Sequence, residues 1–392
     1  MTSKCTKILI ITRNFPPLVG GMERLLYHMY EELVDDFDVA LVGPTGCGKH
    51  AANARAVFEF RPAPAWRFLA QCQWKTYRAA SRLRPDLIIA GSGVVSLAAL
   101  MAKRISGAPI LAYLHGLDII ASSRLYQNVF VPAIKKSDAF VVNSHNTAQL
   151  LRNTGIKADR ISILPPGVTL PSGQVLRSSE RFTAMVGGNK RPVLLSVGRL
   201  TARKGLVEFV AHVLPQLVSR YPNVVLAIIG SEPELALSRS VGERERILET
   251  AMRVGVIENI AFLGSVDDET LHSAYFTSDL LVFPVLDIPG DVEGFGMVAV
   301  EAAAHGLPTV AFAAGGVPDA VAQDISGYLV EPGDYSGFAE KIVAVLDHPN
   351  RETWRSRCVQ FAEQFSWEQF GKRWRNTCRD VMNRPRQQMY RA

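Results

Sequence analysis

The chain has 392 residues, 48% of them hydrophobic and 20% charged, and a formal net charge of +6. That length and balance exclude a disordered chain and a single ordinary core, and predict two folded domains of about 150–200 residues each. Charge is unevenly shared, with 20 Lys+Arg against 11 Asp+Glu in residues 1–170 and 23 against 26 in the remainder. The first half is therefore the one suited to an anionic partner, with membrane phosphate and nucleic acid both open on this ground alone.

Apolar β-rich runs alternate with helical patterns from the start: Lys7–Thr12, Leu25–Leu33, Val39–Val42, Trp66–Leu83, Leu87–Ala90, Val94–Arg104, Ile110–Tyr113, Ala139–Val142 and Ala148–Thr154. Such alternation predicts a doubly wound parallel sheet. The opening apolar run is too short for a signal peptide and soon meets Pro16-Pro17. The longest apolar stretch, Leu87 to Ala102, is interrupted by Gly91-Ser92-Gly93 and falls short of a membrane span. A first domain is predicted over residues 1–170, ending near Leu164-Pro165-Pro166-Gly167-Val168, with a polar linker around Ser172–Asn189.

The alternation then restarts at Val193–Val197 and continues through Leu206–Arg220, Val224–Ile229, Glu243–Val254, Ile260–Leu263, Asp268–Tyr275, Leu280–Phe283, Val298–Ala304, Thr309–Ala311, Gly327–Val330 and Tyr335–Leu346. This is a second α/β domain over residues 171–366, followed by a basic helical tail at 367–392. Ligands of open α/β sheets bind beyond the carboxyl ends of the strands, so two such units predict an interdomain cleft. The five cysteines are scattered without a Cys-x-x-Cys pair, which points away from a disulfide framework or zinc site and toward a reducing cytoplasm.

The most informative stretch is Pro-Gly-Asp-Val-Glu-Gly-Phe-Gly-Met-Val-Ala-Val-Glu, in which Glu293 and Glu301 stand eight positions apart. Gly294 and Gly296 allow close backbone approach to a ligand. The N–H groups of Phe295, Gly296 and Met297, with the helix start that follows, make an anion site. Glu301, one turn into the helix, and Glu293, on the loop, offer carboxylates to hydroxyl groups on either side of it. A nucleotide sugar presents both chemistries. Arg199 follows the strand Val193–Val197 and Lys204 lies five residues later, before Gly205. Two cations at a strand-to-helix turn suit a diphosphate without a metal. His115 follows the strand Ile110–Tyr113 in Leu-His-Gly-Leu-Asp, and Gly20-Gly21 lies between the first strand and helix.

With these motifs in this order, nearly the whole chain resembles the retaining glycosyltransferases of the GT-B fold, the family that includes phosphatidylinositol mannosyltransferases and sucrose synthases. The resemblance implies that Arg199, in Gly198-Arg199-Leu200, and Lys204 contact the donor diphosphate, that Glu301 binds the ribose, and that Glu293 and His115 lie at the sugar. It implies that Gly20 and Gly21 close over the diphosphate and that base contacts come from backbone around Gly264–Val266. It also implies that the tail crosses back onto an acceptor-binding first domain. The expected reaction is same-face substitution without a protein nucleophile, a metal or another cofactor. Where the family often shows Gly-Val-Asp near the domain boundary, this chain has Gly167-Val168-Thr169.

Other signals are discounted. Gly43 to Lys49 mimics a phosphate-binding loop, but His50 stands where a magnesium-holding Ser or Thr belongs. Asp36-Phe-Asp38 reads as a loop charge pair, not a metal site. Arg67, Gln71, Lys75, Arg78 and Arg82 share one helical face, with Phe68, Leu69, Trp74 and Tyr77 around it. That face fits an anionic bilayer, through Lys75, Arg78 and Arg82, as well as it fits plain solvent. No nucleic-acid module is apparent. The expected protein is a cytoplasmic hexosyltransferase, peripheral to the membrane, acting from a nucleotide diphosphate sugar on a lipid or lipid-linked saccharide. The alternatives are a soluble acceptor and a non-catalytic binding protein on the same scaffold.

Overall fold

A computed structural model of the chain describes residues 6–171, 179–188, 191–232 and 242–384. The chain forms two compact units, Met1–Gly167 with Trp367–Ala392, and Val168–Ser366. The boundary falls three residues before the predicted one, because the Val168 N–H donates to the Phe365 carbonyl at 2.7 Å and so ties Val168 to the second unit.

The first unit contains seven strands: β1 (Lys7–Ile11), β2 (Asp38–Pro44), β3 (Ala56–Phe60), β4 (Leu87–Ala90), β5 (Ile110–Leu114), β6 (Ala139–Val142) and β7 (Ile161–Ile163). They form one parallel sheet in the order β3-β2-β1-β4-β5-β6-β7. Central strands such as Ile8–Ile11 and Leu87–Ala90 are buried throughout. Burial on both faces is what turns parallel strands into unbroken Val/Ile/Leu runs.

The second unit has β8 (Val193–Val197), β9 (Val225–Ile229), β10 (Ile260–Gly264), β11 (Leu280–Phe283), β12 (Thr309–Phe312) and β13 (Gly327–Val330), parallel in the order β10-β9-β8-β11-β12-β13. In each sheet the order reverses once, between β1 and β4 and between β8 and β11. Connections there leave on opposite faces of the sheet, and the strand ends open a crevice for a ligand.

One predicted element is corrected. Leu206–Arg220 is two helices, Leu206–His212 and Leu214–Arg220, broken at Val213. Pro215 sits in the first turn of the second; it has no N–H to give, and its ring excludes the carbonyl four residues back. Part of the predicted linker is a helix, Ser179–Met185; its residues 172–178 and 189–190, and the tail beyond 384, lie outside the described residues.

The tail helix Trp367–Asn383 belongs to the first unit. Phe370, Trp374, Cys378 and Val381, at 3- and 4-residue spacing, form its buried stripe. Trp374 is fully buried and its Nε1–H donates to the Met29 carbonyl at 3.1 Å. Arg375 pairs with Glu32, and Arg379 with Asp36 at 2.6 Å. Asp38, the other member of the discounted acid pair, meets Arg55 at 2.5 Å. Trp374→Ala should cost about 4 kcal/mol of stability, read as a lowered urea midpoint; an unchanged midpoint would show that the tail adds nothing to the first unit's core.

Candidate active site

The switch point of the second sheet gathers three loops. After β8 the chain runs from Gly198 to Gly205, after β11 from Pro284 to Gly296, and after β12 through Gly315 and Gly316. The Leu286 N–H donates to the Arg203 carbonyl at 2.8 Å, and the Gly316 N–H to the Glu293 carbonyl at 2.8 Å. Gly205 is required here: its φ is 67°, and a Cβ would lie 1.9 Å from the Pro284 carbonyl oxygen. The close loop contact therefore fixes Lys204 against Glu293.

The Lys204 ammonium donates to Glu293 Oε2 at 2.7 Å and lies 4.6 Å from the centre of the Phe283 ring. Arg203, absent from the sequence-based candidates, donates to the same Glu293 oxygen and, through Nε, to Asp291 Oδ1 at 3.0 Å. Glu293 was expected to stand ready for ligand; in this structure it is engaged by two cations. Burial alone would raise its pKa, but Lys204 and Arg203 outweigh burial and hold it down at about 2. Burial draws the Lys204 ammonium below its ordinary value, with Glu293 opposing and the charges of Arg203 and Arg199 adding to the fall. Arg199 itself is exposed, close enough for its charge to act on Lys204.

Glu293 leads directly into the helix Met297–Ala304, whose N-cap is Gly296 at φ 99°. Among the described residues, no backbone carbonyl accepts from the N–H groups of Phe295, Gly296, Met297 or Val298. These donors and the positive end of the helix gather where the glycines predict an anion site. Glu301 sits on the same helix, and the Tyr275 hydroxyl donates to its Oε2 at 3.0 Å. One residue past the helix, His305 Nδ1 donates to the Glu301 carbonyl at 2.7 Å, leaving Nε2 to accept from His272 Nδ1 at 2.6 Å. Burial lowers the His305 pKa to about 4, so the ring is neutral at pH 7. Tyr275 and His272 both come from the helix Asp268–Thr277, which thus braces the turn carrying Glu301. Neither residue was singled out from sequence.

The loops after β9 and β10 lie beside the first. Gly198 N–H donates to the Ile229 carbonyl, Leu200 N–H to the Ser231 carbonyl, and Gly230 N–H to the Gly264 carbonyl at 2.8 Å. Gly264 and Val266, the residues expected near the base, are at the end of this row.

The remaining candidates belong to the first unit, at its own switch point. Gly20 caps the helix Gly21–Val34, behind a loop tip on which Val19 is 98% exposed. His115 Nε2 is 3.2 Å from the Gly91 carbonyl. Asp118, the aspartate of Leu-His-Gly-Leu-Asp, accepts from the N–H groups of His115 at 3.0 Å and Gly93 at 2.9 Å. It locks the loops after β4 and β5 to each other. Farther along this unit, the helix Ala65–Leu83 exposes Trp66, Trp74 and Tyr77 by more than half, with Lys75 and Arg78 stacked on Trp74. An open groove of about 660 Å³ flanks Trp74 and Lys75. Among the described residues no helix is long and apolar enough to cross a membrane.

Residues 182–365 match the family described as glycosyl transferases group 1, and residues 19–170 match glycosyltransferase family 4. Over 395 aligned residues the chain is 27% identical to a GDP-mannose-dependent alpha-(1-6)-phosphatidylinositol monomannoside mannosyltransferase of Mycolicibacterium smegmatis, with 92% of this chain and 98% of that protein covered. Among solved structures, sucrose-phosphate synthase from Thermosynechococcus elongatus superposes with a TM-score of 0.78 at 21% identity, over 96% of this chain and 99% of that one. The Anabaena HepE protein in complex with UDP-glucose gives 0.75 at 22% identity, over 95% and 99%. These likenesses show the two-domain GT-B fold.

Proposed function

We propose that this chain, a glycosyltransferase in both its family 4 and its group 1 domain, moves a hexose from a nucleotide diphosphate sugar to a hydroxyl of a lipid or lipid-linked saccharide, with retention and without a metal. The observation that carries the reading is the convergence of Lys204, Glu293 and an unfilled helix start at one sheet switch point. Lys204, Arg199 and the N–H groups from Phe295 to Val298 supply positive charge for the diphosphate, where a departing leaving group gains most from it. Glu301 faces the ribose hydroxyls, and Glu293 the hexose. The acceptor oxygen attacks C1 on the face the diphosphate leaves; the C1–O(phosphate) bond breaks, and the acceptor proton passes to the departing phosphate oxygen.

Two observations favour a membrane-borne acceptor. The M. smegmatis relative is named for a phosphatidylinositol mannoside, which also makes GDP-mannose the first donor to try. The helix Ala65–Leu83 joins exposed aromatic rings to Lys75, Arg78 and Arg82, the composition of a segment lying on the inner face of an anionic membrane.

Two measurements test the reading. Incubation with GDP-mannose or UDP-glucose and a lipid extract should yield a glycolipid whose new bond keeps the donor's α configuration; an inverted product contradicts retention. Phosphatidylglycerol vesicles should co-sediment the protein at low salt and release it at high salt, as screening predicts, and replacing Lys75, Arg78 and Arg82 with Gln should abolish the low-salt binding. Transfer to a soluble acceptor with no vesicle binding would favour the alternative acceptor class. Failure even to hydrolyse a donor that binds would favour a non-catalytic scaffold.

A further inference from the structure

One carboxylate oxygen at the second sheet's switch point serves two cations. Glu293 Oε2 accepts from both Lys204 and Arg203, and Arg203 reaches Asp291 from its other edge. The four charges, two positive and two negative, sum to zero. Three of the side chains are nearly enclosed: Arg203 is 9% exposed, Lys204 14% and Glu293 15%. A diphosphate that recruits Lys204 therefore removes one of the two counter-ions of an acid that water scarcely reaches, where an unpaired carboxylate is strongly disfavoured. Arg203 cannot follow Lys204 outward. Asp291 holds its guanidinium, and the Leu286 N–H holds its carbonyl.

We infer that Arg203 is a positioning residue, the standing counter-ion that keeps Glu293 ionised and in place while Lys204 is handed from Glu293 to the donor diphosphate. The inference rests on the proposed donor site and deepens it. Glu293 is then both a competitor for Lys204 in the empty site and a sugar contact in the filled one, and Arg203 makes the exchange affordable. Arg199, exposed and without a carboxylate partner among the described residues, joins the phosphate without any such exchange.

The test is calorimetric titration with GDP and with UDP, whichever the wild-type protein binds more tightly. Arg203→Met should weaken binding tenfold or more, the effect of losing one charge-assisted hydrogen bond. Its remaining affinity should rise as pH falls from about 7 to about 5, because Glu293, deprived of Lys204 by the ligand, must take up a proton; the wild type should show no such rise. Arg203→Met combined with Glu293→Gln should recover binding to within about threefold of wild type, since no buried acid then competes for Lys204. A merely structural Arg203 predicts a double variant as weak as the single one, and that result overturns the inference, as does wild-type affinity in Arg203→Met. If Arg203→Met does not fold by thermal denaturation, Arg203→Gln, which also removes the charge but keeps a polar side chain, carries the test with the same signs. Absence of nucleotide binding by the wild type overturns the functional reading and this inference with it; normal wild-type binding beside an unaffected Arg203 variant overturns the inference alone.

Discussion

Lys204→Ala should lower kcat/KM for sugar transfer by about 10³ while the thermal midpoint stays close to wild type. The rate loss follows from removing a fixed cation from the place where the leaving diphosphate gathers negative charge, an effect that amounts to about 3–4 kcal/mol in enclosed sites. The fold survives because Arg203 still neutralises Glu293 once the ammonium has gone. Glu293→Gln should also abolish transfer, yet by a different route: it keeps the volume and the loop geometry and loses the charge at the hexose. The two variants therefore separate in binding. The lysine variant binds nucleoside diphosphate poorly, and the glutamine variant binds it at least as well as wild type. Full transfer activity in both would remove the assignment of this site.

Glu301→Ala should weaken nucleoside diphosphate binding by about 10–100-fold, the range for losing charge-assisted hydrogen bonds to ribose. Its signature is selective. Wild type should prefer the ribonucleotide strongly over its 2′,3′-dideoxy counterpart, and the alanine variant should scarcely distinguish them. Tyr275→Phe should fall between the two, because the lost hydroxyl is what holds Glu301 Oε2 at 3.0 Å while the carboxylate itself remains. Equal discrimination in wild type and Glu301→Ala would place the ribose elsewhere.

Much of this fold is readable in the primary structure for a plain reason. Parallel strands buried on both faces must be continuous apolar runs, so Leu87–Ala90 and Leu280–Phe283 can be marked before any coordinates are known. The break at Val213 is hidden in the sequence because the apolar period continues through it; Pro215 is the available signal. The glycines of residues 294–296 and the helix start after them were legible because backbone demands dictate residue type there. Arg203 was not. Its partners Asp291 and Glu293 lie 88 and 90 residues away, and its neighbour Lys204 already accounted for the motif. The alternation Asp291-Val292-Glu293, two acids on one side of an extended loop facing adjacent basic residues, was the one hint of the pairing. The Tyr275 hydroxyl and the His272–His305 pair carry no local pattern at all; they arise from packing one helix against another.

The account depends on a pyrophosphate being gripped by Lys204 and a helix start with no metal between them. Titration of the wild-type protein and of Lys204→Ala with GDP and UDP in the presence of excess chelator tests this most directly. Saturable wild-type binding that the chelator leaves unchanged and that the lysine variant loses by tenfold or more is the expected outcome. Binding that vanishes with the chelator, or that Lys204→Ala retains in full, would contradict it.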